Sequence, residues 1–578
     1  MSRKFNPTPQ QEKIIRHDRS AFVNACPGAG KTRIIIERAK VAKGAGRDGK
    51  GIAYLSFTRA AVAVLEERLR SENLLDYPAF PHFVGTFDSF IWQYIVSPFG
   101  LPDSDDVPRL VPDLNERTIR PFEKAQLLPL SCFDRKTGKM DVRRAAMAGF
   151  DVSEKPASLI KAFETTAVKT RQRFYARGEL DFDDARDIAA SRLSDVEFSS
   201  RLAKVLAARF KEIIVDEAQD CNPSDLGIID WMRSVDIPIK IICDPNQSIY
   251  EFRGGVTDQL LKFSDTFADD CRLIMSGNFR STRNICKAIV MLRSASARMH
   301  LDEALGDFRD EEIPIYLFSY SGAGVPPSIG EKYAEILSGT GIELSKAPLL
   351  AATKNSAYNA IGQPILKIKK DLTYKIAKAV KDFHNSFDPD DQKAALEAIH
   401  KVVLTIQDHL PAKSYHQYLH DNRINYSHWR PQALHILRYL KFGDETEKQW
   451  HARTKEVFAP FLQTDAGSIA QKIRANQDVA LVLRHSPVAK VPPKTIHSVK
   501  GMEFPGVCVV TTSKTVKGIL DSLQGLTDDP IKAEAARELY VAASRAQRLL
   551  AIAVPKSQCR RLSDHLKTHG ADVKTVVI

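Results

Sequence analysis

Residues 25–32 read Ala-Cys-Pro-Gly-Ala-Gly-Lys-Thr, between a short apolar run, Ala21 to Ala25, and a helical pattern from Lys31 to Ala42. The small residues at 28–30 keep side chains out of the way, so successive backbone N–H groups can converge on phosphate oxygens. The helix that follows brings the partial positive charge of its N-terminus to the same place. Ala25, Cys26, Pro27, Gly28, Ala29, Gly30, Lys31 and Thr32 therefore make a candidate phosphate cradle. In it Lys31 is expected at the β- and γ-phosphates and Thr32 at a Mg²⁺ ion. Ala25 stands where a glycine often opens such a loop, a small-for-small exchange that costs the pattern little.

Alone, this pattern also fits a glycine-rich turn with an incidental Lys-Thr. A second feature argues against that alternative. Residues 212–215, Glu-Ile-Ile-Val, form a β run that ends in Asp216-Glu217, with Gln219 and Asp220 close behind. In open parallel sheets ligands collect at the carboxyl ends of the strands, where these acids fall. Asp216 is expected to share the Mg²⁺ with Thr32, and Glu217 to orient and deprotonate an attacking water. A mere capping pair would leave Gln219 and Asp220 unexplained. The two features together point to an α/β chain that binds and hydrolyses a nucleoside triphosphate, with ATP and Mg²⁺ as the expected ligands.

At 578 residues the chain can hold roughly three or four domains, each with its own core. No stretch approaches roughly 18 uninterrupted apolar residues, so no membrane partner is expected. The start, Met1-Ser2-Arg3-Lys4-Phe5-Asn6-Pro7, lacks an apolar signal core. The eight cysteines include no Cys-x-x-Cys pair, and Cys26 lies inside the cradle, which fits a reduced thiol set in a cytoplasmic protein. A formal net charge of +12 leans toward a polyanion, but over this length it does not by itself select nucleic acid.

The other motifs resemble those of the UvrD/Rep/PcrA group of superfamily 1 DNA helicases. Phe5 to Gln11 (Phe-Asn-Pro-Thr-Pro-Gln-Gln) is similar to that family's adenine-reading segment, which would make Gln11 the base contact. Leu55 to Ala61 and Gly85 to Phe90 resemble its first strand-binding elements, with Phe57, Thr58, Thr86 and Phe87 facing DNA and Trp92 nearby. Leu180 to Asp184 resembles the turn before the acidic strand, and Asp-Glu-Ala-Gln-Asp at 216–220 has the family's form. In Asp244 to Gly255 the resemblance makes Gln247 a γ-phosphate sensor and turns Tyr250, Phe252 and Arg253 toward the single strand. Asn278-Phe279-Arg280-Ser281 would stack Phe279 on adenine and supply Arg280 as an arginine finger. Thr495 to Phe504 is similar to motif V, with Glu503 at the nucleotide and His497 at DNA, and Arg537 to Ala546 is similar to motif VI, with Arg545 as a second finger.

The resemblance implies two RecA-like parallel-sheet motor domains, each with a mainly helical insertion. The boundaries read as 1–95 and 200–265 for the first motor domain, 96–199 for its insertion, 266–360 and 479–578 for the second, and 361–478 for a short accessory insertion. Ala480 to Arg484 leads toward motif V, and Ala347 to Thr353 reads as a strand. In the first insertion Lys161, Lys169, Arg171, Arg173 and Arg177 form either a phosphate-facing stripe or a solvated helix face. In the second, Ile376, Val380 and Phe383 share one helix face, and the Gly-Gly-rich accessory segment of the family is missing. His416 and His420 have helical spacing but no Glu follows His416 and no Cys lies nearby, so satisfied or exposed histidines are expected rather than zinc ligands.

The implied activity is ATP-dependent 3′–5′ movement on single-stranded DNA and at single-strand/duplex junctions, in repair, recombination or phage defence. The alternative is a DNA-stimulated NTPase subunit, a motor or sensor for a partner nuclease. The short stretch after Arg545 holds no acidic nuclease constellation.

Overall fold

The computed structural model describes residues 5–44, 49–102, 106–249, 257–299, 301–322, 324–363, 371–385, 389–410, 415, 418–419, 422–463, 467–476, 479–483 and 491–578. Two six-stranded, wholly parallel sheets carry the architecture. The first uses β1 (Ala21–Ala25), β2 (Gly51–Ser56), β3 (Phe83–Thr86), β4 (Phe210–Asp216), β5 (Ile239–Cys243) and β6 (Arg272–Met275), in the order β6-β1-β5-β4-β2-β3. The second uses β7 (Ile315–Tyr320), β8 (Leu349–Ala351), β9 (Pro493–Thr495), β10 (Phe504–Val510), β11 (Ala546–Pro555) and β12 (Val573–Val577), in the order β9-β8-β10-β11-β7-β12. Strands such as Phe-Lys-Glu-Ile-Ile-Val-Asp read as near-continuous apolar runs because helices cover both faces of such sheets.

This order positions the site. β1 and β4 flank β5, so the cradle after β1, the acids at the end of β4 and Asp244 after β5 all emerge at one carboxyl edge. The segments after β2 and β3, which carry Phe57 and Phe87, leave from the same edge.

The chain divides into two compact units. One comprises Met1–Ile95, Arg186–Ile365 and Ala489–Ile578, and contains both sheets. The other comprises Val96–Ala185 and Leu366–Val488. Within the latter, short strand pairs and the helix Ala157–Ala176 enclose a core around Phe133, Phe150 and Phe163. Its later piece is helical, with Ile376, Val380, Trp450 and Phe458 buried and Phe383 packed against them.

Three boundaries differ from those read in the sequence. The first insertion ends at Ala185, not near 199, because Arg186 pairs with Asp88 and, at 2.6 Å, with Asp225. The first sheet extends past 265, since β6 pairs with β1 and Cys26 N–H donates to Met275 O at 2.9 Å. The run from 479 does not rejoin the second sheet: Val479–Leu483 is a helix whose Val479, Val482 and Leu483 are buried in the other unit's core. Among the described residues, no helix is long and apolar enough to cross a membrane.

Candidate nucleotide site and its surroundings

The cradle follows β1 without a break, and the helix Lys31–Gly44 starts at the lysine. Gly28 and Gly30 take positive φ of 71° and 81°, which an L side chain resists. Gly28 is required for a second reason. A Cβ there would stand 2.6 Å from Arg280 Cβ and from Asn278 Oδ1, while Phe279 N–H donates to Gly28 O at 2.9 Å. The cradle is therefore seated directly against Asn278-Phe279-Arg280.

Glu217 turns out of β4 in the left-handed region, at φ 58°. This aims its carboxylate back at the cradle, where Lys31 Nζ lies 2.9 Å from Glu217 Oε1 and Gln219 Nε2 donates to Oε2. Burial opposes the charge of Glu217, but Lys31, then Lys500, outweigh it and hold its pKa below the usual range. Asp216 goes the other way: burial, then the neighbouring Glu217 charge, raises its pKa despite Lys31. The two carboxylates thus differ in proton affinity although they adjoin in sequence.

Gln247 is buried, with its Nε2 donating to Asp244 Oδ2 at 2.8 Å and its Oε1 accepting from Arg545 Nη2. Arg545, also buried, donates from Nε to Val541 O at 3.1 Å, and burial followed by the nearby Arg280 lowers its pKa. Arg280 donates from Nε to Glu503 Oε2 at 2.8 Å and from Nη1 to Ser544 O at 2.9 Å. One compact unit thus brings Lys31, Asp216, Glu217 and Gln247 together with Arg280 and Arg545. Phe279 is 39% exposed, and Glu503 is exposed beside Arg280, with its Oε1 accepting from Gln547 Nε2 at 3.2 Å.

Gln11 is buried and doubly engaged: its Oε1 accepts from Thr8 N–H and its Nε2 donates to Ala29 O at 3.0 Å. It therefore ties the first helix, Pro9–Arg16, to the cradle, besides any role toward a base. Thr32 opens the helix beside Lys31 and is half-buried.

The residues expected at DNA divide. Phe87, expected at DNA, is instead packed as a core residue, 1% exposed and stacked on Phe57 at 5.2 Å. Phe57 is half-buried above it. Thr58 and Thr86 cap the helices that follow, accepting from Ala61 N–H at 3.2 Å and Ser89 N–H at 3.1 Å. His497 is held with Nε2 3.3 Å from Ile249 O and Nδ1 3.7 Å from Glu538 Oε1. Trp92 is half-buried. Tyr250, Phe252 and Arg253 lie outside the described residues.

Of the basic residues on Ala157–Ala176 and its cap, Lys161, Lys169, Arg173 and Arg177 are exposed, whereas Arg171 turns inward and donates to Leu130 O at 3.1 Å. His416 and His420 lie outside the described residues; His384 and His451 each lie within hydrogen-bond distance of a carbonyl, at 2.9 and 3.1 Å.

Sequence reading missed Lys500. Its ammonium pairs with Asp220 and donates to Gln247 O at 3.3 Å, linking motif V to the acidic strand. Burial pushes Asp220 up to about 6 in spite of that lysine. The signal was available: a lone charge between Val499 and Gly501, inside an otherwise recognised motif. Asn278 was missed too. Its Oδ1 accepts from Arg280 N–H at 2.8 Å and Ser281 N–H at 3.0 Å, which fixes the turn that delivers Arg280.

Residues 7–268 match the UvrD/REP helicase N-terminal domain and residues 366–557 the UvrD-like helicase C-terminal domain. ATP-dependent DNA helicase UvrD1 of Mycobacterium tuberculosis is 27% identical over 313 residues, covering 50% of this chain and 40% of that protein. Putative ATP-dependent DNA helicase YjcD of Bacillus subtilis is 24% identical over 327 residues, covering 54% and 41%. ATP-dependent DNA helicase PcrA of Staphylococcus epidermidis is 23% identical over 292 residues, covering 48% and 38%. The chain matches about two fifths of the length of these curated relatives. With both family domains matched in order along the chain, the protein belongs to the UvrD-like helicase family.

Proposed function

We propose that this protein is an ATP-driven motor that moves 3′ to 5′ on single-stranded DNA and opens duplex at single-strand/duplex junctions. The observation that carries the reading is the contact between Arg545, just before β11, and Gln247, after β5. It brings a cation from the second sheet to the polar group that neighbours the catalytic carboxylates of the first. Such an arginine is worth about 10³ to 10⁵ in rate, so turnover depends on the two sheets meeting at the triphosphate. Single-stranded DNA that favours this meeting raises turnover by shifting the population.

The residues fit the parts. Lys31 and the cradle N–H groups bind phosphate, Glu217 takes the proton of the attacking water, and Arg280 and Arg545 stabilise the transferring phosphoryl group. Thr32, at the start of the helix Lys31–Gly44, and buried Asp216, at the end of β4, are the oxygen donors that would hold Mg²⁺, which neutralises phosphate charge. Base stacking at about 1–3 kcal/mol per base is comparable to the average of about 1.4 kcal/mol for a base-pair step, so a few aromatic steps suffice for unwinding.

The test sets 3′-tailed and 5′-tailed duplexes side by side with ATP. Unwinding of the 3′-tailed duplex alone is expected, and preference for the 5′ tail overturns the polarity. ATP turnover stimulated by DNA with neither duplex opened would replace the helicase reading with that of a DNA-stimulated NTPase serving a partner such as a nuclease.

A further inference from the structure

Behind Gln247 runs a chain of buried polar groups that phosphate chemistry does not itself require. Arg293 and Asp302 form an ion pair at 2.5 Å, with side chains only 5% and 2% exposed. Arg293 Nε also donates to the hydroxyl of Tyr540 at 3.3 Å, with the guanidinium 5.5 Å from the ring centroid. Tyr540 in turn donates to Asp244 Oδ2 at 3.0 Å. That same oxygen accepts from Gln247 Nε2, while Asp244 Oδ1 is taken by Asn246 N–H at 3.1 Å. From Arg293 through Tyr540 and Asp244 to Gln247, every link joins buried side chains.

The direction of the links matters. A guanidinium can only donate, so the Tyr540 oxygen accepts from Arg293 and its own proton is committed to Asp244. Donation in series polarises each hydrogen bond and strengthens the next. Asp244 is buried, and its Oδ2 accepts both the Tyr540 phenol and the Gln247 amide. Its Oδ2 then holds the amide of Gln247 with nitrogen inward, which leaves Oε1 as the atom presented to Arg545. The reverse amide orientation would set two donors face to face.

We infer that Tyr540, backed by the Arg293–Asp302 pair, is a positioning residue that fixes Asp244 and, through it, the orientation of Gln247 required for hydrolysis. Tyr540 belongs to the helix Pro530–Ala543 beside the second sheet, and Asp244 follows β5 of the first. The relay is thus a further connection between the two sheets, beside those made by Lys500 and Arg545, and it meets Arg545 at Gln247. This inference rests on the ATPase reading of the site.

Tyr540→Phe in the full chain removes one hydroxyl and little volume. DNA-stimulated kcat for ATP is expected to fall ten- to a hundredfold, with KM for ATP and affinity for single-stranded DNA within threefold of the parent. A role confined to packing would not obey the further requirement: in a Gln247→Ala background, read by single-turnover hydrolysis, Tyr540→Phe should cost less than threefold more, because the two act in series. If Tyr540→Phe does not fold, Asp302→Asn replaces it in the same cycle, with a smaller loss in kcat and the same non-additivity. Unchanged kcat, or an equal loss in both backgrounds, overturns the inference while leaving the ATPase reading intact. A parent chain that turns over no ATP with DNA present overturns that reading, and this role with it.

Discussion

Lys31 Nζ lies 2.9 Å from Glu217 Oε1, so the ammonium of the phosphate cradle is bonded to the carboxylate that would act on water. A terminal phosphate must therefore compete with Glu217 for Lys31, and its success leaves the carboxylate free to turn to a water. Glu217→Gln keeps an oxygen for Lys31 but cannot take a proton. ATP turnover is expected to fall by about 10² to 10⁴, the usual worth of a general base. Nucleotide affinity should stay level or tighten, because a neutral amide competes less well for the ammonium. Steady-state turnover and titration with a fluorescent ATP analogue check both halves; turnover within threefold of the parent rules out the assigned role.

Removing the cation instead has a different signature. Lys31→Met leaves Asp216 and Glu217 side by side with their nearest ammonium gone. Breaking such a pair costs about 3–5 kcal/mol when it is deeply buried. Partial exposure of Lys31 and Glu217 places this one toward the lower figure. In the parent, Glu217 is held below its ordinary pKa, so the stability it contributes is present above the unfolded value and is lost as pH falls. In the variant the sign reverses: the carboxylate now resists ionisation, and the deficit grows as pH rises. The melting-temperature gap between parent and variant should be larger at pH 8 than at pH 5.5. A gap independent of pH, with hydrolysis lost, would mean that Lys31 serves phosphate alone.

Phe87 gives a prediction that separates core from interface. It is fully buried against Phe57, and Phe90 on the same short helix packs with Phe83 and Tyr94. Phe87→Ala should cost about 3–5 kcal/mol of stability, the range for emptying a buried aromatic site. Affinity of the folded fraction for single-stranded DNA should change little. A variant with parental melting temperature and weakened DNA binding would return Phe87 to the interface.

Phe87 also shows what a sequence withholds. The cradle and the acidic strand were legible because phosphate and cation chemistry fixes both residue type and spacing, and the strands Ala21–Ala25 and Phe210–Asp216 end where those motifs begin. An aromatic inside a recognised motif carries no such mark. The same letter serves a ring turned to solvent or into the sheet, and only packing decides. β6 was missed for another reason: Arg-Leu-Ile-Met is short, and its place beside β1 depends on a partner some 250 residues earlier. Val479–Leu483 is an apolar run too short for periodicity to separate helix from strand. The Arg293–Tyr540–Asp244 relay joins three distant segments, and no local pattern announces it.

The last prediction concerns Glu538, which lies on the helix Pro530–Ala543 with one oxygen 3.7 Å from His497 Nδ1. Burial, then the charge of Glu534 one turn away, pushes its pKa up to about 7. A carboxyl raised above its unfolded value binds more protons when folded, so stability falls as pH climbs from the unfolded pKa toward about 7. The shift from 4.5 to about 7 sets a ceiling of about 3 kcal/mol at 1.36 kcal/mol per pH unit. Glu538→Gln removes the titration and keeps the shape. Its melting temperature should exceed the parent's at pH 8 and fall to or below it at pH 5, where the parent's carboxyl is already neutral. Parallel pH profiles for the two proteins would mean that Glu538 ionises with an ordinary pKa and that His497, or solvent, compensates its charge.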